Sequence, residues 1–192
     1  MIDRFYDPLG GGFFDTAQIS HGKEELLGVL DARRKPFQDS PTPAGNSAAA
    51  IALVRMHGYT NDQSYREKAE QTMNVFAGVA EQYGIFGGTY GVAGVYISQP
   101  HAQVIVVDDE RADELYKAAI APFAFNKQVI RLKPNEVAQQ NLPPALAETI
   151  PNLPGIKEGK SMAVICADFS CHPPISNPAE LARQLQEALR TK

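Results

Sequence analysis

Gln103-Val104-Ile105-Val106-Val107, then Asp108-Asp109, then Arg111 to Ala121, then Gln128-Val129-Ile130-Arg131-Leu132: this stretch decides the fold. Four consecutive β-branched residues after Gln103 read as a strand buried on both faces. Asp108-Asp109 reads as a cap, and Arg111 to Ala121 as the helix it opens. Strand, helix and strand within about thirty residues make a βαβ unit, with parallel strands and a right-handed crossover.

Downstream, Pro134 to Gly159 is a proline-rich connection with one helical turn near Ala145 to Thr149, and it reads as surface wrapping. Ser161 to Cys166 supplies a third strand. Asn177-Pro178-Ala179-Glu180 opens a last helix, with Asn as cap, Pro first and Glu at N3, and with Leu181, Leu185, Ala188 and Leu189 on its apolar face. Upstream, Ala48 to His57 is a helix that Asn46 or Ser47 can cap and Gly58 stops. A second helix runs to about Tyr83, with Tyr65, Ala69, Thr72, Met73 and Phe76 at helical spacing and Gly84 as its end. The short connection makes the two a helical hairpin, and a third helix follows from Thr89 to Ser98. Before them, Asp7 to Asp15 reads as a glycine turn leading into a short aromatic strand, and Glu25 to Pro43 as an extended loop. The expected fold is mixed α and α/β: helical hairpins over residues 1–100, then a small three-stranded α/β subdomain over 101–192.

With 44% hydrophobic and 21% charged residues, the 192-residue chain has an ordinary globular composition. A net charge of -4 and a single basic triplet, Arg33-Arg34-Lys35, argue against nucleic-acid binding. No apolar run approaches the roughly 20 residues that cross a bilayer, and Met1 to Phe5 has no signal-peptide core, so the expectation is a cytoplasmic protein off the membrane. Cys166 and Cys171 read first as two partly buried free thiols. Joining Cys171 to His172 gives too few ligands for a zinc site, so no metal and no cofactor are expected.

Other polar groups carry two readings each. Asp108-Asp109 lies at the carboxyl end of a strand, where α/β sheets bind ligands, but the loop lacks the glycines of a phosphate site and a helix cap fits better. Gly87 to Gly94 has the glycines without a preceding strand, which suits helix packing. His57 and His101 show no partner in the sequence, and Ser20-His21 and Ser47 lack the elbow of a serine hydrolase. Asp39-Ser40-Pro41-Thr42-Pro43-Ala44-Gly45-Asn46-Ser47 is a rigidified polar loop delivered to a helix start. It is either a capping loop or a pocket wall, with Asp39 and Asn46 turned to a ligand.

That loop, with Gly11-Gly12-Phe13-Phe14-Asp15-Thr16 before it and Ala163 to Pro174 after it, resembles the C-terminal portion of the YyaL-like, spermatogenesis-associated protein 20 family of thioredoxin-domain proteins. The resemblance covers nearly the whole chain. It implies an N-terminal thioredoxin-like domain, an (α/α)6 barrel similar to six-hairpin glycosidases and N-acylglucosamine 2-epimerases, and a small α/β extension. The absence of Trp and of a CxxC-type motif implies that the thioredoxin-like domain and most of the barrel are missing. Ala44 stands where the family pattern has a serine. The implied function is that of a C-terminal fragment, not itself an enzyme, of a protein that binds a carbohydrate-like ligand. Asp15, Asp39, Asn46, Ser47 and Tyr90 are the pocket candidates. The implied partners are the missing domains or a second copy covering exposed helix faces. The alternative is a non-enzymatic interaction module that docks a thioredoxin-like domain or a partner protein, with Cys171 as redox residue. A nucleotide-binding α/β domain over Val104 to Leu132 is the third reading.

Overall fold

A computed structural model describes residues 1–17, 32–108, 113–167 and 170–190. Ser20, His21, the start of the loop at Glu25, Asp109 and Asp168-Phe169 lie outside the described residues. The chain divides into two compact units, residues 1–54 with 63–98, and residues 55–62 with 99–192.

The first unit is helical: α1 (Ile2–Phe5), α2 (Gly45–Thr60, of which 45–54 belong here), α3 (Gln63–Phe76) and α4 (Gly88–Ser98). Its core is made largely of small residues, Ala49, Ala50, Ala69 and Ala93, around Phe13, Leu53, Val54 and Met73. Alanines at these positions let helices approach closely while keeping helix propensity high. In α3 the buried set Ala69, Thr72, Met73 and Phe76 follows a spacing of three and four. The helix stops at Phe76 instead of continuing to Tyr83. Beyond it Ala77-Gly78 favours a turn, and the 3-10 segment Ala80–Gly87 buries no residue, so nothing offsets the cost of extending the helix. The expected aromatic strand reduces to a single bridge between Tyr6 and Phe13. It follows Gly11 and Gly12, both in the left-handed region at φ 69° and 75°.

The second unit is built on a four-stranded sheet with strand order β2-β1-β3-β4, one strand more than the sequence reading expects. The strands are β1 (Ala102–Val107), β2 (Lys127–Leu132), β3 (Met162–Ala167) and β4 (Ser170–Cys171). β1 and β2 are parallel, as the βαβ reading requires, and β3 runs antiparallel to β1. One face, with Ala102, Val104, Val106, Ala163 and Ile165, is covered by Leu115 and Ala119 of α5 (Asp113–Ile120) and by Leu181 and Leu185 of α6 (Pro178–Leu189). Asn177 caps α6, its Oδ1 accepting from the amides of Ala179 and Glu180. The other face, with Ile105, Val107, Val164 and Cys166, is covered by Leu142, Leu146, Ile150 and Ile156. The proline-rich connection is therefore a core layer whose buried aliphatics are spaced along short 3-10 turns.

Residues 55–62 count with this unit. Gly58 does not stop α2, which runs to Thr60 and ends at Asn61 with φ 58°. Gly58 is set by packing: a Cβ there would lie 2.3 Å from the Gln128 Cδ. Gln128 and Gln103 are register partners on adjacent strands, both buried, and Gln103 Nε2 donates to the Gly58 carbonyl at 3.1 Å. Replacing a mid-helix glycine by alanine normally gains about 1 kcal/mol. Here the clash reverses the sign, and Gly58→Ala is expected to lose about 1–3 kcal/mol in urea unfolding, as overpacked sites do. Adding Gln128→Ala to Gly58→Ala should recover part of that loss, and strict additivity in the double-mutant cycle would show that the two side chains do not compete for the space.

Candidate functional site

The polar loop and its neighbours form a set of joints inside the first unit. Asp39 accepts the Ala44 amide at one carboxylate oxygen and the Thr89 amide at the other, both at 2.7 Å, so it ties the loop to the start of α4. Desolvation raises its pKa, but these bonds outweigh it and hold the carboxyl below the usual carboxylate range. Asn46 is buried, with Oδ1 accepting from the Phe13 amide at 2.6 Å and Nδ2 donating to the carbonyls of Phe13 and Pro36, both at 2.9 Å. It acts as a side-chain strand partner for Phe13 and does not cap α2; the Ala48 amide reaches back to the Ala44 carbonyl instead. Asp15 exchanges two bonds with the backbone of Arg34. The Tyr90 hydroxyl donates to the Met73 carbonyl at 3.0 Å, and burial raises the phenol pKa. Ser47, 2% exposed, is the one candidate whose oxygen has no partner.

The loop thus brings Asp39, Asn46 and Ser47 together, and Asp39 links them to Thr89 beside Tyr90, yet nearly all of this polar capacity is engaged by backbone. Two joints escaped the sequence reading. Lys35 Nζ donates to Asp7 Oδ2 at 2.7 Å and to the Gly11 carbonyl, and its hydrogen bond holds the Asp7 carboxyl down at about 2, helped by the Gly10 and Leu9 amides. Phe37 packs against Phe76, Tyr83 and Tyr90 at ring distances of 5.0, 4.8 and 5.2 Å. The Asx turn at Asp7, where its side chain accepts the Leu9 amide, was readable from Asp-Pro-Leu-Gly. The Lys35 partner, 28 residues on, was not. A depression of about 370 Å³ in this unit is lined by Pro8, Gly10, Gly11, Gln71, Asn74 and Val75, and by none of the candidates.

In the second unit, Cys166 and Cys171 form a disulfide across the β3–β4 hairpin, which corrects the free-thiol reading: Cys171 is a half-cystine. Directly opposed positions on antiparallel strands bring the two side chains within reach. Asp108, the described half of the expected cap, is followed by residues 109–112, which lie outside the described residues. It pairs with Arg131 Nε at 2.7 Å, and Arg131 reaches Asp113 at 2.8 Å, which ties the carboxyl ends of β1 and β2 to α5. Gly88, Gly91 and Gly94 lie within α4, where no phosphate loop forms. The rings of His57 and His101 pack together at 5.7 Å. Among the described residues no group of three or more His, Cys, Asp or Glu is placed to hold a metal, and no helix is long and apolar enough to cross a membrane.

Two measurements check the joints. Asn46→Ala leaves buried backbone groups of Phe13 unpaired and is expected to cost about 2–4 kcal/mol in denaturant unfolding; a loss below about 0.5 kcal/mol would mean the joint is dispensable. Asp7 and Asp39 both have pKa values below those of the unfolded chain. Their contribution is complete above the ordinary carboxylate range and is lost as pH falls, for Asp7 between the ordinary aspartate value of 3.8 and about 2. Asp7→Asn should flatten the fall in stability across that window, whereas an unchanged acid limb would show that the Lys35 bond does not bias folding.

The chain is 26% identical over 186 residues to human spermatogenesis-associated protein 20, and 24% identical over 188 residues to the mouse and rat proteins of the same name. These matches cover 94–95% of the chain but 22% of each relative, so the chain spans about a fifth of their length. No protein-family model matches, and no solved structure does. Along nearly its whole length, the chain is similar to the portion of spermatogenesis-associated protein 20 that these matches span.

Proposed function

We propose that the chain corresponds to the non-catalytic C-terminal part of a larger protein, its helical unit providing the last hairpins of an (α/α)6 barrel and its sheet unit the small α/β extension. The assembled protein binds a carbohydrate-like ligand at the barrel mouth, where Asp39, Asn46 and Tyr90 shape the wall and Ser47 supplies a hydroxyl with free capacity. The observation that carries this reading is the hydrogen-bond state of the candidates: Asp39 and Asn46 hold backbone amides and carbonyls, as framework groups do. A general acid or base needs a proton-transfer partner within reach, and a carboxylate held low by two amides is a poor proton donor near neutral pH. The relatives' greater length supports a role as part of a larger assembly.

A second reading has an observation of its own. The Cys166–Cys171 disulfide, with Cys171 the less buried half, suits docking of a dithiol partner such as a thioredoxin-like domain. A partner thiolate attacks the Cys171 sulfur, the S–S bond breaks with Cys166 leaving as thiolate, and a second partner thiol resolves the mixed disulfide. The hairpin ends reduced and the partner oxidised.

The chain alone, incubated with a panel of nitrophenyl glycosides and N-acylhexosamines, should give no turnover above buffer. Turnover abolished by Asp15→Asn or Asp39→Asn would overturn the non-catalytic reading, and a failure of the full-length human relative to bind any sugar of the panel would remove the carbohydrate ligand. Reduced thioredoxin added to the same sample, followed by thiol labelling, separates the second reading: a hairpin that stays unlabelled excludes it.

A further inference from the structure

β2 is the first strand of the sheet order, so among the described residues one of its edges has no neighbouring strand. The Ala102 amide donates to the Asn126 carbonyl and the Asp108 amide to the Leu132 carbonyl, both at 3.1 Å. In a parallel ladder the backbone groups of alternate residues face one neighbour. Gln128, Ile130 and Leu132 therefore face β1, and the N–H and C=O groups of Lys127, Val129 and Arg131 point to the open edge. Among the described residues none of these outward groups takes part in a backbone bond.

Proteins usually guard such an edge with charged side chains, lysine above all. Here the two cations of the strand are drawn elsewhere. Lys127 Nζ donates to the carbonyls of Ala119 at 2.7 Å and Ile120 at 3.0 Å, and to Pro122. Arg131 is held by Asp108 and Asp113, with its guanidinium over the Tyr116 ring. Beside the unguarded edge runs a groove of about 500 Å³ lined by Tyr59, Thr60, Val129, Ile130, Leu142 and Pro143, among other uncharged residues. At the start of the strand, Phe123 is 82% exposed.

We propose that the open edge of β2 is a strand-addition site for an extended peptide segment of a partner protein, apolar where it meets the Tyr59–Pro143 groove and acidic beside Lys127. An unpaired row of backbone donors and acceptors calls for another extended backbone, and the groove takes every second side chain of that strand. Charge separates the occupants. Among the described residues Lys127 Nζ meets carbonyls and no carboxylate, whereas Arg131 already has two carboxylates, so an acidic residue at one position of the incoming strand supplies what the edge lacks.

The test is to pan a phage-displayed library of random dodecapeptides against the chain, then to add the enriched sequence as a capped peptide while following amide hydrogen exchange by NMR. Expected are enriched peptides with alternating apolar residues and an acidic residue, and at least a tenfold slowing of exchange at the Val129 and Arg131 amides, with Gln128 and Ile130 unchanged. Val129→Pro, which removes one outward donor and is tolerated on an edge, should weaken peptide binding at least tenfold. The proposal is overturned if nothing enriches, if the peptide protects other amides, or if sedimentation shows a dimer that protects Val129 and Arg131 without peptide.

Discussion

β1 is closed from water on both faces, and much of the second unit follows from that constraint. Its residues from Ala102 to Val107 are 0–1% exposed. Each fully buried aliphatic side chain contributes about 1.5–3 kcal/mol, but only if both faces are covered. Two helices cover one face, and a connection without long helices has to cover the other, which is why Pro134 to Gly159 carries Leu142, Leu146, Ile150 and Ile156 inward. Placing Gln103 in this strand adds a second demand. A buried amide costs free energy unless it is bonded, and Gln103 is satisfied by the carbonyls of Gly58 and Tyr59. Its register partner Gln128 then fills the space in which any residue but glycine at position 58 would place its Cβ.

The first unit answers a different problem, the closure of a small-residue helical core by long loops. Alanine faces bury little area each, so polar joints carry much of the specificity. Asn46 substitutes for a strand partner, Asp39 collects amides from two segments, and Lys35 holds the glycine turn through Asp7 and Gly11. Each joins residues far apart in the chain, and each leaves a buried or half-buried polar group unpaired if either side is removed.

What the sequence disclosed and what it concealed divide along the same line. β1, β2, their parallel pairing, α4 and the Asn177 cap were readable because periodicity and caps are local signals. Gly58 was misread as a stop because the Gln128 side chain, which leaves no room for a Cβ there, is 70 residues away. The end of α3 at Phe76 and the pairing of β4 depend on what lies beside them, as does the Cys166–Cys171 bond. The polar loop was found but its use was not. Asp, Asn and Ser near a helix start serve a cap, a ligand or a distant backbone equally well by composition. The Phe13 partner of Asn46 is 33 residues upstream, where no spacing rule reaches.

Unused hydrogen-bonding capacity is therefore a better pointer to binding than polarity. By that measure Ser47 is the pocket candidate with capacity to spare, since the side chains of Asp15, Asp39, Asn46 and Tyr90 already have backbone partners. The largest unused capacity among the features described lies in the second unit, where three residues of β2 present backbone donors and acceptors in a row. The residues that looked most like a site hold the framework, and the plainest strand in the sequence has the open valence. On the readings proposed above, a ligand of the first unit finds its wall shaped by these joints and its hydrogen bonds at Ser47 and at groups outside them, whereas a partner of the second brings an extended backbone with apolar alternation and an acidic residue.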